Sequence, residues 1–106
     1  YHYPDIKLVY WAGGNPFHHQ MDLSKLTKAS SKPDTIVVNE IWWNSLAKHS
    51  DIILPTTTSL ERNDIGVRHW DQTISPMHKA INPIGDSKTD HEIFSLLSSS
   101  FILSIL

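Results

Sequence analysis

A chain of 106 residues with 40% hydrophobic and 19% charged side chains is long enough for one domain with a modest core, and too apolar for a disordered segment. Its formal net charge of −2 offers no basic surplus to neutralise phosphates, so nucleic acid is not an expected partner. The lack of cysteine removes disulfides, iron–sulfur ligation and thiolate catalysis within these residues, and no apolar run among them approaches the roughly 18 residues of a membrane span.

Taken in order, the apolar stretch Ile6 to Trp11 reads as a buried strand. Met21, Leu23, Leu26 and Ala29 fall close to a helical spacing, with Lys25 and Lys28 on the polar side, so 21–29 is a predicted helix. The cluster Ser30-Ser31-Lys32-Pro33-Asp34 breaks it, and Thr35 to Val38 is a second strand. Ile41 to Lys48 suits a short helix, and Asp51 to Pro55 a third strand closed by proline. A Thr-rich loop, Pro55 to Ser59, leads to Leu60-Glu61-Arg62-Asn63-Asp64, and residues 66–84 read as irregular. Asp86 to Leu97 is a last helix, with Thr89 or Asp86 as its N-cap. Strands alternating with helices predict an α/β fold with a parallel sheet flanked by helices.

The ends suggest a piece of something larger. The chain opens on Tyr1 and moves at once into a strand, and it closes on an uncapped apolar stretch, Ser98 to Leu106. Termini are normally polar and frayed. The expectation is therefore an incomplete fragment of a multidomain subunit, with one partial domain over 1–97 and an apolar tail over 98–106 that a shifted reading frame would explain.

The richest stretch is Tyr10-Trp11-Ala12-Gly13-Gly14-Asn15-Pro16-Phe17-His18-His19. A strand that runs into Gly-Gly-Asn-Pro exposes its backbone where open α/β sheets bind ligands, at the carboxyl end of a strand. Glycines allow main-chain N–H groups to approach a bulky anion, and Asn15 accepts turn geometry. In a parallel sheet the loops Gly13 to His19, Asn39 to Trp43 and Pro55 to Asp64 open on one edge, offering backbone donors and imidazoles, then Asn39 and Glu40, then Thr hydroxyls with Glu61 and Arg62. Other readings remain open at this level. The loop is also compatible with a plain turn. His18 and His19 point apart and lack a third ligand at zinc spacing. Glu61 and Asp64 suit an acid/base pair or an ion-pair network around Arg62. Trp42 and Trp43 suit a stacking platform, or core packing of one with partial burial of the other. His49, His69, His78 and His91 form no group.

Four stretches resemble the molybdopterin-dependent oxidoreductases of the dimethyl sulfoxide reductase family, in the branch of the trimethylamine N-oxide and biotin sulfoxide reductases. They are Tyr10 to Gln20 with Gly-Gly-Asn-Pro-Phe-His-His, Ser45 to Pro55 with Asp51-Ile52-Ile53-Leu54-Pro55, Leu60 to Gly66 with Glu-Arg-Asn-Asp, and Ile74 to Asp90 with Ser75-Pro76-Met77-His78-Lys79-Ala80. The resemblance implies the third, Rossmann-like domain of a large catalytic subunit, gripping one molybdopterin guanine dinucleotide of a bis(molybdopterin guanine dinucleotide) molybdenum cofactor. Carried over by position, it places Gly13, Gly14 and Asn15 on the dinucleotide and His18 and His19 beside its phosphates. It places Asn39 and Glu40 by the guanosine, Arg62 facing the phosphates, and Asp90 on the guanine edge, with capping of the last helix as the other role for Asp90. It implies two-electron reduction of an S-oxide or N-oxide to the parent compound and water, with the catalytic serine ligand of the metal elsewhere. No catalytic residue and no metal ligand is expected within this chain. The rest of the catalytic subunit and a cytochrome electron donor are implied as partners, in the periplasm or alternatively the cytoplasm. The contrasting expectation is a stand-alone nucleotide-binding or interaction module without chemistry.

Overall fold

In the computed structural model, which describes residues 2–67, 70 and 72–103, the chain divides into two units, Tyr1–Leu54 and Pro55–Leu106. His69 and residues 104–106 of the expected tail lie outside the described residues.

The first unit is a three-stranded sheet of β1 (Leu8–Ala12), β2 (Thr35–Glu40) and β3 (Ile52–Pro55) in the order β1-β2-β3. β1 and β2 run parallel, with Leu8 opposite Thr35 and Ala12 opposite Asn39. Three short helices connect them: α1 (Pro16–His19), α2 (Leu23–Ser30) and α3 (Ser45–Lys48). With strands added in one direction, right-handed crossovers put every connecting helix on the same face. The core agrees, because Phe17 of α1, Val38 of β2 and Leu46 of α3 pack together with Trp11, Leu26 and Ile53. Trp11 and Val38 are register partners, so this is one face of the sheet. β2, as the central strand, is buried at Ile36, Val37, Val38 and Asn39, which suits its β-branched run. Asp51 ties β3 to its neighbour: its carboxylate Oδ2 accepts from Ile36 N at 2.8 Å, while its own N–H donates to Ile36 O at 2.9 Å.

The α/β architecture matches expectation, and the differences are local. α1 lies where a loop was expected, because Asn15 caps it by accepting from Phe17 N at 3.0 Å and Pro16 enters as the first helical residue. The helix expected over 41–48 shrinks to α3, since Asn44 caps there, accepting from Ala47 N at 3.1 Å. β2 runs on to Glu40, so Asn39 sits inside the strand rather than in the loop after it.

The second unit contains β4 (Asp64–Val67) and β5 (Ile74–Met77), an antiparallel pair with Asp64 opposite Met77 and Val67 opposite Ile74. β5 and the second half of β4 fall in the region read as irregular. Each strand has only four residues, too few for a clear period, and Pro76 interrupts β5. α4 (Asp90–Leu103) starts later than expected and continues through residues 98–103. Thr89 is its cap, in a reciprocal capping box: Thr89 Oγ1 accepts from Glu92 N at 3.1 Å, and Glu92 Oε2 accepts from Thr89 N at 2.8 Å.

Candidate cofactor-binding edge

The loop after β1 has the backbone that its glycines suggest. Gly13 and Gly14 hold φ of +89° and +71° in succession, and a Cβ placed on either would meet nothing within 4 Å. The need for glycine is therefore conformational in the free loop, and open space adjoins both residues. Asn15 follows directly. Its side-chain carbonyl is used by the α1 cap, whereas its Nδ2 is buried without a partner among the described residues. A buried donor left unpaired costs about 1–3 kcal/mol, a demand that an accepting oxygen brought to this loop would meet. His18 and His19 are exposed in the last turn of α1. Phe17 anchors that turn from below, stacked on the His49 ring at 4.4 Å between centroids.

Across the register, the end of β2 is tied into the sheet and into its own loop. Asn39 is only 7% exposed, and its Oδ1 accepts from the Tyr10 hydroxyl at 2.7 Å. Tyr10 and Asn39 are diagonal neighbours on one face, the kind of cross-strand pair that fixes register. Glu40 turns back on its own chain, and its Oε1 accepts from Ile41 N at 2.9 Å and Trp42 N at 3.4 Å. Trp42 and Trp43 are 69% and 70% exposed. The expectation that one packs in the core is overturned, because Leu46 and Phe17 already fill the space beside Val38.

In the second unit, Arg62 and Asp90 come together, about 28 residues apart in sequence, on the wall of a cavity of about 400 Å³ that Asn63, Asp64, Thr89 and His91 also line. Arg62 is held by two directed bonds, from Nε to Asp64 Oδ2 at 2.8 Å and from Nη1 to the Thr57 carbonyl at 2.6 Å. The bond from Arg62 keeps the Asp64 carboxyl below the usual range, with the Ile65 amide assisting. Asp90 is the first residue of α4 rather than its cap, so the capping role belongs to Thr89.

Glu61 is the structural hub of this loop. It is 5% exposed, accepts from Thr58 N and Thr58 Oγ1 at 2.7 Å each, and accepts from Ile84 N at 2.8 Å. The Thr58 hydroxyl, then the Thr58 and Ile84 amides, hold its pKa below the ordinary value. A carboxylate with three such donors is committed to holding the loop, and Asp64 to holding Arg62. That arrangement favours the network reading over an acid/base pair. Among the described residues, no three His, Asp or Glu side chains gather to hold a metal ion, and no helix is long and apolar enough to cross a membrane.

Known proteins share this sequence closely. A family model described as molybdopterin oxidoreductase matches residues 2–100. The chain is similar to a biotin sulfoxide reductase of Cereibacter sphaeroides, 48% identical over 96 residues that cover 91% of this chain and 13% of the relative. It is similar to a trimethylamine-N-oxide reductase of Haemophilus influenzae, 48% identical over 94 residues, 87% of this chain and 11% of the relative. A dimethyl sulfoxide/trimethylamine N-oxide reductase of Cereibacter sphaeroides is 44% identical over 98 residues, 91% of this chain and 12% of that protein. The chain thus spans about an eighth of the length of these relatives. With a family match over residues 2–100 and 48% identity to a curated relative across 91% of its own length, this chain belongs to the molybdopterin oxidoreductase family.

Proposed function

We propose that this chain is the part of an S-oxide or N-oxide reductase that grips a guanine dinucleotide form of the molybdopterin cofactor. The observation that carries the reading is the pair of consecutive positive-φ glycines, Gly13 and Gly14, with open space beside them at the carboxyl edge of a parallel sheet. The unpartnered Asn15 Nδ2 supplies a donor at the same place, so the residues present fit a phosphorylated group. When bound, the molybdenum centre of that group supplies the two-electron oxygen-atom chemistry. This chain's residues bind and orient. Gly13 and Gly14 admit the dinucleotide to the backbone, Asn15 meets an oxygen, and His18 and His19 stand exposed beside it.

In the second unit Arg62, fixed by Asp64 and Thr57, presents positive charge, and Asp90 presents a carboxylate suited to the two N–H groups of a guanine edge. The relatives' names make biotin sulfoxide, trimethylamine N-oxide and dimethyl sulfoxide the substrates to try. A cytochrome donor and a periplasmic location belong to the same proposal, and cell fractionation with a donor-reconstitution assay addresses both. The direct test is the intact enzyme: molybdenum and guanine nucleotide released per subunit, and turnover of the three oxides, in wild type and in Gly14→Val. The expected result is loss of both nucleotide and turnover in the variant. Wild-type nucleotide content in Gly14→Val refutes the loop assignment.

A further inference from the structure

The two exposed indoles have no role in the binding edge so far. β1 and β2 are adjacent and in register at Ala12 and Asn39, so the Gly13-Gly14 loop and the 40–44 loop leave the sheet side by side, about 5 Å apart at their roots. The backbone of the second loop is pinned at both ends. Glu40 gathers the Ile41 and Trp42 amides, Asn44 N donates to Trp42 O at 2.8 Å, and the Asn44 side chain caps α3. Between these anchors Trp42 and Trp43 stand 69% and 70% exposed. A tethered loop that holds two large flat apolar side chains in water has already lost the freedom that stacking would otherwise remove. Beside them Asn39 Oδ1 accepts from the Tyr10 hydroxyl, and Glu40 Oε1 accepts from the amides of its own loop. Beyond Glu40, the large exposed side chains that this loop adds are Ile41 and the two indoles.

We propose that Trp42 and Trp43 form a platform on which a fused-ring heterocycle of the bound dinucleotide stacks, either the guanine base or the pterin. This rests on the reading of Gly13 to Asn15 as the cofactor loop. Aromatic side chains bind flat heterocycles through their faces, and removing one such contact weakens binding about 5- to 150-fold.

The test uses the full-length enzyme isolated free of cofactor, with guanosine diphosphate and a pterin alone as separate probes in equilibrium dialysis. The variants are Trp42→Ala, Trp43→Ala and the corresponding changes to Phe, with Gly14→Val as the control. At least one alanine variant is expected to lose about 5- to 150-fold in affinity for one probe, and its Phe counterpart to recover most of it. Loss for guanosine diphosphate identifies the base as the stacked ring, and loss for the pterin identifies the other ring. Because both indoles lie outside the Phe17–Val38–Leu46 core, hydrogen exchange of the β2 and α3 amides should stay as in wild type. Loss of that protection together with binding overturns the platform. Wild-type affinity for both probes in both alanine variants, with Gly14→Val defective, overturns the platform and leaves the glycine loop standing. Wild-type affinity in Gly14→Val shows instead that the loop reading has failed.

Discussion

Substitutions at Gly14 separate backbone strain from ligand approach. At φ +71° an L-residue such as alanine is strained by roughly 1–2 kcal/mol, whereas asparagine visits this region with little strain. A new Cβ meets nothing within 4 Å in the free loop, so strain is the whole local effect there. In the cofactor-free full-length enzyme, Gly14→Ala should therefore speed exchange of the α1 amides, Phe17 and His18, by about 5- to 30-fold, and Gly14→Asn should leave it near wild type. Binding behaves differently. The strain is present with and without ligand and largely cancels, so the remaining effect is crowding of the new Cβ against whatever sits on the loop. Overpacking of that kind costs about 1–3 kcal/mol, or about 5- to 150-fold in affinity. Gly14→Asn is the informative variant, because it should keep the loop and lose guanosine diphosphate binding. Full binding by Gly14→Asn refutes ligand approach at this residue, and wild-type exchange in Gly14→Ala refutes the strain argument.

Leu46→Ala, at a side chain 2% exposed beside Phe17 and Val38, should destabilise the first unit by about 2–5 kcal/mol; exchange protection of the β2 amides checks this, and a change below about 1 kcal/mol contradicts the assigned core. Arg62→Lys replaces a fork that reaches both Asp64 and the Thr57 carbonyl with a single point charge, so the Asp64 pKa should climb back toward its ordinary value in a carboxyl NMR titration, and an unmoved pKa would show that Arg62 is not its cause. Glu61 has a folded-state pKa below its unfolded value near 4.5, so its contribution is complete above the unfolded pKa and is lost as pH falls through the depressed one. Glu61→Gln should lower the urea midpoint at pH 7 and flatten its acid dependence, because an amide N–H then faces the Thr58 or Ile84 donors; equal midpoints at pH 7 would refute the network.

The parts of the fold that were legible in the sequence are those set by local demands. β2 announces itself through Thr35-Ile36-Val37-Val38, and the glycine loop through a conformation that only Gly13 and Gly14 tolerate easily. α1 is hard to read because a four-residue helix carries no period; its one signal is Asn15-Pro16, a cap followed by the residue favoured at the first helical position. The β4–β5 pair carries little signal because each strand has only four residues and Pro76 lies within β5. The Thr89 cap, by contrast, is legible: Thr89 and Glu92 spell a capping box three residues apart, which leaves Asp90 inside the helix.

The site was less legible than the fold, for a reason visible in Asn39. Its partner Tyr10 lies 29 residues away and becomes a neighbour only once β1 and β2 pair in a particular register. Two more residues of strand than the sequence pattern suggests give Asn39 a hydrogen bond within the sheet that sequence spacing does not reveal. The same extension of β2 to Glu40 moves the second loop outward and leaves Ile41, Trp42 and Trp43 as its exposed residues. One strand boundary thus decides what the second loop brings to the edge. With the boundary after Glu40, the loop itself brings Ile41 and the two indole faces, beside the Glu40 carboxylate at the strand's last residue. On the proposed reading, the glycine loop then supplies the close backbone approach and the second loop the flat apolar surface, a division of roles fixed by where the β1–β2 ladder stops.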